Sequence, residues 1–176
     1  MGSWLMPPRP SSRPVELIPV GRSHRAVLEN LGQLYRHDLS ESYGLVPNPD
    51  GTFNNRRLDL FLAKADPEAR AWLITAAGSL AGFVMTAPAD GGGRSISDFF
   101  IVRALRRSGV GREAARQVIA MTPGPWCIAF QAYNPGAQRF WSQVASDAVG
   151  NQWATHDDPP GQRDTWKVDT WITFET

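Results

Sequence analysis

The sequence predicts an α+β fold or a three-layer α/β arrangement, with helices packed on the faces of a β-sheet. Runs of β-branched and aromatic residues typical of strands recur along the chain. Stretches with apolar residues at helical spacing stand between these runs. The order is strand, helix, strands, helix, strand, helix, strands. Because strands and helices do not alternate one by one, a doubly wound parallel sheet is less favoured.

The first half of the chain predicts four strands and two helices. Alternation of apolar residues supports the strands, and Ser23 is the expected N-cap of a helix whose apolar stripe includes Leu28, Leu31 and Leu34. A hairpin turn is expected at Gly78 and Ser79, between two apolar runs. In order, the predicted elements are a strand at 15–20, a helix within 21–44, a short helix at 56–64 and strands at 70–78, 80–89 and 96–102.

The second half predicts two helices and three strands. Asn134 followed by Pro135 is a strong start signal for the second of these helices. The predicted elements are a helix at 112–121, a strand at 126–133, a helix at 134–145 and strands around 151–156 and 165–174.

Length and composition indicate one globular domain. The chain has 176 residues, with 42% hydrophobic and 20% charged residues, and we expect a disordered leader at 1–14 before a single domain at 15–176. The net charge of +1 does not favour a nucleic acid or an anionic membrane as partner. Cys127 is the only cysteine, and no Cys/His metal spacing or membrane-length apolar run is present. We therefore expect a cytoplasmic protein without a metal.

The fourth predicted strand runs into a helix through a short segment rich in arginine and glycine, "RALRRSGVG". The first N–H groups of a helix lack partners and lie at the positive end of its dipole, so an anion such as phosphate is a natural ligand. A solvated turn is the alternative interpretation of so short a motif. In a phosphate loop, glycine would allow close backbone approach and arginine would add charge, from Gly109, Gly111, Arg106, Arg107 and Arg112.

The loop sequence "RRSGVG" is similar to the Arg/Gln-x-x-Gly-x-Gly/Ala pyrophosphate loop of the GNAT superfamily of N-acetyltransferases. The resemblance extends to "DFFIV" before the loop and to "WCIAFQAY" and "NPGAQRFW" after it. The earlier segment "LGQLYRHDLSE" resembles the first helices of a bacterial subgroup of small predicted acetyltransferases. The resemblance implies a mixed central sheet of about seven strands, splayed between the fourth and the fifth and flanked by about four helices.

The resemblance implies acetyl-CoA, or a related acyl-CoA, as cosubstrate, with its thioester between the splayed strands. The alternative interpretation is that Asn134 only caps a helix and that Phe140 and Trp141 only pack in the core. The residues that the resemblance assigns to the acyl-CoA are Ile101, Val102 and Arg103 along the pantetheine, Arg106, Arg107, Ser108, Gly109, Val110, Gly111 and Arg112 at the pyrophosphate, and Asn134, Phe140 and Trp141 towards the thiol.

The acid and the base of an acyl transfer are less clearly marked. Members of the superfamily often carry a tyrosine where this chain has Trp141, and an indole N–H is not a useful acid. Tyr133 and Tyr35 are the candidate acids, and departure of CoA as an unassisted thiolate is the alternative. Some members carry a catalytic glutamate where this chain has Ala129. Asp98 is either a base reached through water or, as we favour from the sequence, a paired structural carboxylate.

The acceptor side is expected to include the first helix and a late strand. The candidate residues are Tyr35, His37, Asp38 and Trp153. If they line a cleft, the carboxylate favours a cationic amine. Placement in the core or on a solvated face is the alternative for each.

Three functions follow from these expectations. The first is an N-acyltransferase that moves an acyl group from acyl-CoA to the amine of a small molecule. The second is an aminoacyltransferase of the same fold with aminoacyl-tRNA as donor, the one nucleic-acid partner that we consider. The third is a non-catalytic CoA-binding module. No membrane partner is expected, and the protein is expected to be a monomer or a homodimer.

Overall fold

The computed structural model describes residues 14–64, 66–89, 91–157 and 169–176 of the chain. Most of the expected leader, at 1–13, and the beginning of the last predicted strand, at 165–168, lie outside these residues. The elements are β1 (Val15–Pro19), α1 (Arg25–Tyr43), α2 (Arg56–Leu62), β2 (Arg70–Ala76), β3 (Ser79–Pro88), β4 (Arg94–Ile101), α3 (Val110–Ala120), β5 (Pro125–Gln131), α4 (Pro135–Val149), β6 (Trp153–Asp157) and β7 (Asp169–Glu175).

The seven strands form one sheet in the order β1-β2-β3-β4-β5-β7-β6. Every neighbouring pair is antiparallel except β4 and β5, which run parallel. The α+β class, the mixed sheet and the four flanking helices predicted from the sequence are confirmed.

The predicted splay between the fourth and fifth strands is also present. β4 and β5 pair only at their beginnings, from Arg94 with Trp126 to Ile96 with Ile128. Both strands continue for several residues beyond this point without pairing to each other, since β4 ends at Ile101 and β5 at Gln131. A gap therefore opens in the middle of the sheet.

A β-bulge in β4 lies where the gap begins. Thr86 of β3 pairs with Ile96 and Met85 pairs with Asp98, so Ser97 has no opposite residue. Strict alternation would put Ile96 and Asp98 on one face of the sheet. The extra residue instead leaves Ile96 in the core beneath α3 and α4 and turns Asp98 towards α1 and α2.

Each face of the sheet carries its own core. Leu28 and Leu31 of α1 and Leu58 of α2 pack on one face with Phe83 and Phe100. The apolar stripes of α3 and α4 pack on the other face, with Ala114, Ala115, Val118, Trp141 and Val144 as members. Burial of these stripes is what positions the helices at either side of the gap.

The ends of the helices differ slightly from the sequence-based expectations. α1 begins after a 3-10 turn and has His24, not Ser23, at its N-cap. α3 begins at Val110, two residues before the predicted Arg112, because Gly109 already takes the cap position. Asn134 caps α4 as predicted, since its Oδ1 accepts a hydrogen bond from the backbone N–H of Ala137.

None of the helices that the structure describes is long and apolar enough to span a membrane.

Close approach of β3 to β4 requires a glycine at position 82. A Cβ built on Gly82 would lie 1.9 Å from the carbonyl oxygen of Phe100. We expect Gly82→Ala to lower the free energy of unfolding by about 2 kcal/mol, because the two strands must move apart. Urea denaturation measures the effect. Gly21→Ala is the control, since no heavy atom lies within 4 Å of its added Cβ; equal stability of the two variants would contradict this packing.

Candidate active site

The gap between β4 and β5 forms a cleft of about 640 Å³. One wall is β4 from Ile96 to Ile101, and β5 and the first turns of α4 form the other. Tyr35 and neighbouring residues of α1 border the cleft on one face of the sheet, and the loop before α3 borders it on the other. The cleft therefore passes through the sheet and connects its two faces.

The edge of β4 presents backbone polar groups to this cleft. Val102 donates its N–H to the carbonyl of Ala81 and so faces β3. Because backbone directions alternate along a strand, the groups of Phe99 and Ile101 point the other way, into the gap. The carbonyl of Ile101 already accepts a hydrogen bond from Nε of Arg106, at 2.8 Å. The N–H groups of Phe99 and Ile101 are left for a ligand.

The loop before α3 collects unpaired backbone donors at one end of the cleft. Within the described part of the chain, five consecutive N–H groups donate to no acceptor. The next N–H along the chain is that of Glu113, which donates to the carbonyl of Gly109. Such a run of donors at a helix N-terminus fits a phosphate group. The five N–H groups belong to Ser108, Gly109, Val110, Gly111 and Arg112.

The geometry of the loop requires a glycine at position 109, and Gly111 packs closely against the wall of the cleft. Gly109 caps α3 with φ of 86°, a left-handed conformation that L side chains rarely adopt. A Cβ on Gly111 would touch Ile101 and Phe140, each at 3.4 Å, so a larger side chain would displace the wall of the cleft. Arg107 also has a positive φ, of 60°, a conformation that is uncommon for residues other than glycine.

Asp38 of α1 holds two arginines that follow β4. Its carboxylate pairs with Arg103, at 2.8 Å, and with Arg106. Burial raises the pKa of Asp38, but hydrogen bonds from Arg106 and Arg103 outweigh this and hold it below its ordinary value. Asp38 lines the cleft, as predicted for an acceptor residue, yet its charge is already neutralised. These ion pairs tie α1 to the loop across the mouth of the cleft.

The other loop arginines differ in their partners. Arg112 makes a two-pronged ion pair with Asp147 of α4, so its charge too is partly neutralised. Arg107 lines the cleft and pairs with no carboxylate among the described residues. Arg107 is therefore the loop arginine with the most charge to offer a phosphate.

Three aromatic rings pack together on the α4 side of the gap. Phe99, Phe140 and Trp141 have ring centroids 4.7 to 5.5 Å apart. Trp141 is buried, at 6% exposure, whereas Phe140 is half-buried, and both line the cleft. Asn134 lies beside them, and because its Oδ1 caps α4, its amide nitrogen is the part that can reach a ligand.

Asp98 is a buried carboxylate in the wall of the cleft. It is 6% exposed, and its Oδ2 has no hydrogen-bond partner among the described residues. Burial raises its pKa to about 6, although Arg57, the phenol of Tyr35 and Arg36 each act to lower it. A carboxylate with one free oxygen and a pKa near neutrality is suited to accept a proton. Both the base and the structural carboxylate preferred from the sequence therefore stay predictions.

The two candidate acids lie in different surroundings. Tyr35 borders the cleft, packs edge-on against Phe83, and has a pKa well above its ordinary value because of burial and the charge of Asp98. Tyr133 is 45% exposed and donates from its phenol to the carbonyl of Ser42, at 3.3 Å. Tyr133 is outside the set of residues that line the cleft.

Two predicted acceptor residues lie away from the cleft lining. His37 is exposed on α1 and packs edge-on against Phe53, with centroids 6.2 Å apart. Trp153 packs against the core beneath α4, and its indole N–H donates to Oγ of Ser146 at 3.0 Å.

Sequence reasoning did not find the contacts made by Arg57 and Gln131. Arg57 of α2 donates to the carbonyl of Ser97 at 2.9 Å, and Gln131 at the end of β5 bonds the phenol of Tyr43. Both contacts join a helix to a strand that bounds the gap, 40 or more positions away in the chain. No local pattern marks such partners.

A larger groove of about 1220 Å³ lies at the β1 edge of the sheet, between Pro19 and Trp72 and the end of α2. Two of the three arginines that line it are engaged locally, since Arg25 pairs with Glu29 and Arg70 donates to nearby carbonyls. The described residues that line it include neither the row of unpaired donors nor the buried carboxylate of the cleft. Size alone therefore does not make it the reactive site.

Among the described residues, no group of three or more His, Cys, Asp or Glu side chains is placed to hold a metal.

Residues 28–145 match the model of the Acetyltransferase (GNAT) family. Because the match covers more than half of the chain, the protein belongs to this family and is an enzyme of the GNAT N-acetyltransferase type. No sequence among functionally curated proteins matches the chain.

Solved structures of acetyltransferases share the fold across nearly the whole chain. An acetyltransferase from Thermus thermophilus has a TM-score of 0.63 and 17% identity, covering 92% of this chain and 97% of its own. RimL, a ribosomal L7/L12 α-N-protein acetyltransferase in complex with coenzyme A, has a TM-score of 0.65 and 11% identity, covering 95% and 97%. A variant of the spermidine N-acetyltransferase SpeG from Vibrio cholerae has a TM-score of 0.59 and 11% identity, covering 92% and 93%.

The raised pKa of Asp98 predicts a pH-dependent cost in stability. A folded-state pKa of about 6, against an ordinary 3.8, means that stability falls as the pH rises between these values. Asp98→Asn should therefore be more stable than the wild type at pH 8, by at most about 3 kcal/mol, with no difference below about pH 4.

Chemical denaturation across this pH range measures the difference. Glu41→Gln, which removes an exposed carboxylate from α1, is the matched control and should change stability little at any pH. Lower stability of Asp98→Asn at pH 8 would show that the carboxylate is a favourable structural ion.

Proposed function

We propose that the protein transfers an acetyl or related acyl group from acyl-CoA to the primary amine of a small-molecule acceptor. The observation that carries the proposal is the cleft between β4 and β5, with unpaired N–H groups at one end and the buried carboxylate of Asp98 in its wall. One end suits a diphosphate and the other suits an amine that must lose a proton.

The donor would enter from the α3 side of the sheet. Its pyrophosphate would accept hydrogen bonds from the backbone at 108–112 and charge from Arg107. The pantetheine arm would lie along β4 and bond the N–H of Ile101, in the manner of an added strand. Asn134 would reach the arm from α4. The thioester would then lie beside Phe140, in the part of the gap nearest Asp98.

The acceptor would approach from the α1 side and attack the thioester carbonyl directly. Asp98, through a water molecule, would take a proton from the ammonium group and so generate the nucleophilic amine. The N–H of Phe99 faces the gap and would stabilise the oxyanion of the tetrahedral intermediate. The attacking nitrogen would release its remaining extra proton to solvent water, and collapse of the intermediate would then break the carbon–sulfur bond and release a neutral amide and the CoA thiolate.

The thiolate would leave without a dedicated acid. The position used by a tyrosine in many relatives is filled by Trp141, which packs between Phe99 and Phe140. The phenol of Tyr35 faces Asp98 and has a raised pKa, so it is better suited to orient the base than to give up a proton. Tyr133 uses its phenol on the carbonyl of Ser42. Solvent would protonate the thiolate after release.

The carboxylates of the cleft affect which acceptor it would bind. Asp38 is paired with two arginines, so Asp98 is the carboxylate that would meet the incoming amine. SpeG is by name a spermidine N-acetyltransferase and RimL an acetyltransferase of a protein α-amine. The shared chemistry of these acceptors, a primary amine, is what we carry over to this protein.

Binding of acetyl-CoA tests the donor side. At about 100 times its Kd, acetyl-CoA should add about 2.7 kcal/mol of stability and raise Tm by roughly 5 to 10 °C. Gly109→Pro should abolish the shift, because proline cannot adopt the φ of 86° found here and removes one N–H donor.

Gly51→Pro is the matched control, since Gly51 has a similar φ, of 82°, in a remote turn. It should lower Tm without acetyl-CoA but keep the shift. An unchanged shift in Gly109→Pro, or no shift in the wild type, would contradict the proposal. Binding of aminoacyl-tRNA with no response to any acyl-CoA would instead favour the tRNA-dependent donor.

A further inference from the structure

We propose that Arg57 is a positioning residue for the reaction: from α2 it holds the β-bulge at Ser97 and faces the adjacent carboxylate of Asp98, and so fixes the base and its charge. The inference rests on the proposed role of Asp98. It adds a residue on α2, outside the strands, loop and helix that form the cleft, to the machinery of the reaction.

Arg57 contacts the β-bulge at Ser97 directly. Ser97 has no opposite residue on β3, and its carbonyl accepts a hydrogen bond from Nη1 of Arg57 at 2.9 Å. A guanidinium is a rigid donor, so the bond fixes the direction of the bulge relative to α2. Because the bulge decides which face Asp98 occupies, Arg57 helps to hold the carboxylate towards the acceptor side.

The positive charge of Arg57 lies near the carboxylate of Asp98. The same Nη1 lies 3.9 Å from Oδ1 of Asp98, too far for a hydrogen bond but within the range of an ion pair. The side chain of Arg57 is 70% exposed, whereas that of Asp98 is 6% exposed. The arginine therefore supports the negative charge without covering Oδ2, which has no partner among the described residues.

Other titratable and charged groups also surround Asp98. From α1, Tyr35 faces it with its phenol and Arg36 acts on it at longer range. β3 places the uncharged Met85 opposite Asp98. Among the charged groups of α1 and the loop that line the cleft, Asp38 pairs with Arg106 and Arg112 pairs with Asp147, whereas Arg107 pairs with no carboxylate among the described residues. Arg57 has the largest opposing effect to burial, ahead of Tyr35 and Arg36.

This arrangement has a consequence for catalysis. With a pKa of about 6, Asp98 is mostly ionised at pH 7 and can still release its proton to water after each turnover. Loss of Arg57 would allow burial to raise the pKa further, so that a smaller fraction of Asp98 is ionised and able to act as a base near neutral pH.

The test is a direct titration of Asp98 by carbon-13 NMR of aspartate carboxyl groups, with Asp98→Asn used to assign the resonance. Arg57→Gln should move the midpoint upward by roughly half a pH unit, as expected for a partly exposed ion pair. Arg57→Lys retains the charge and should leave the midpoint near its wild-type value. The titration needs neither acyl-CoA nor an acceptor, so it is independent of the proposed activity.

Arg56→Gln is the matched control, because Arg56 precedes Arg57 on α2, is also exposed and carries the same charge. It should leave the midpoint unchanged. With an amine substrate that the enzyme turns over, Arg57→Gln should shift the acid limb of kcat/KM in the same direction, lowering kcat/KM roughly threefold on that limb. An unmoved midpoint in Arg57→Gln, or equal shifts in Arg56→Gln and Arg57→Gln, would overturn the role of Arg57.

Discussion

The site depends on the separation of β4 from β5 after only three paired positions. The strands part where Ser97 is inserted into β4, and the bulge both ends the pairing and reverses the faces of the residues that follow. The backbone N–H groups of Phe99 and Ile101, which would otherwise bond to β5, remain available in the gap. The same interruption turns Asp98 out of the core under α3 and α4 and towards the helices on the opposite face.

Charged side chains around the gap pair with polar groups that the interrupted pairing of β4 leaves without partners. Asp38 gathers Arg103 and Arg106, and Arg106 also satisfies the carbonyl of Ile101 at the end of β4. Arg57 satisfies the carbonyl of the bulge at Ser97. Asp98 keeps a buried carboxylate oxygen without a partner among the described residues, and its burial costs stability when the group is ionised.

The fold and the conformation of the loop before α3, which we propose to bind the donor, were predictable because their signals are local. Gly109 has a left-handed backbone conformation, Gly111 packs closely against the cleft wall, and Asn134 caps the start of a helix. Each of these roles is recognisable from a few neighbouring residues. The bulge at Ser97 gives no such signal, because an extra residue in a strand changes only the register with its partner. The ion pairs of Asp38 and of Arg57 join positions far apart in the chain, and only the folded structure brings them together.

If the gap between β4 and β5 receives the acyl-CoA, and the larger groove beside β1 does not, binding should alter the amides of the gap. Amide NMR of the nitrogen-15-labelled protein during titration with acetyl-CoA measures this. We expect the largest shift changes, with slowed hydrogen exchange, at the amides of Phe99, Ile101 and 108–112. Changes concentrated around Arg22 and Trp72 in the groove, with the amides of the gap unaffected, would contradict it.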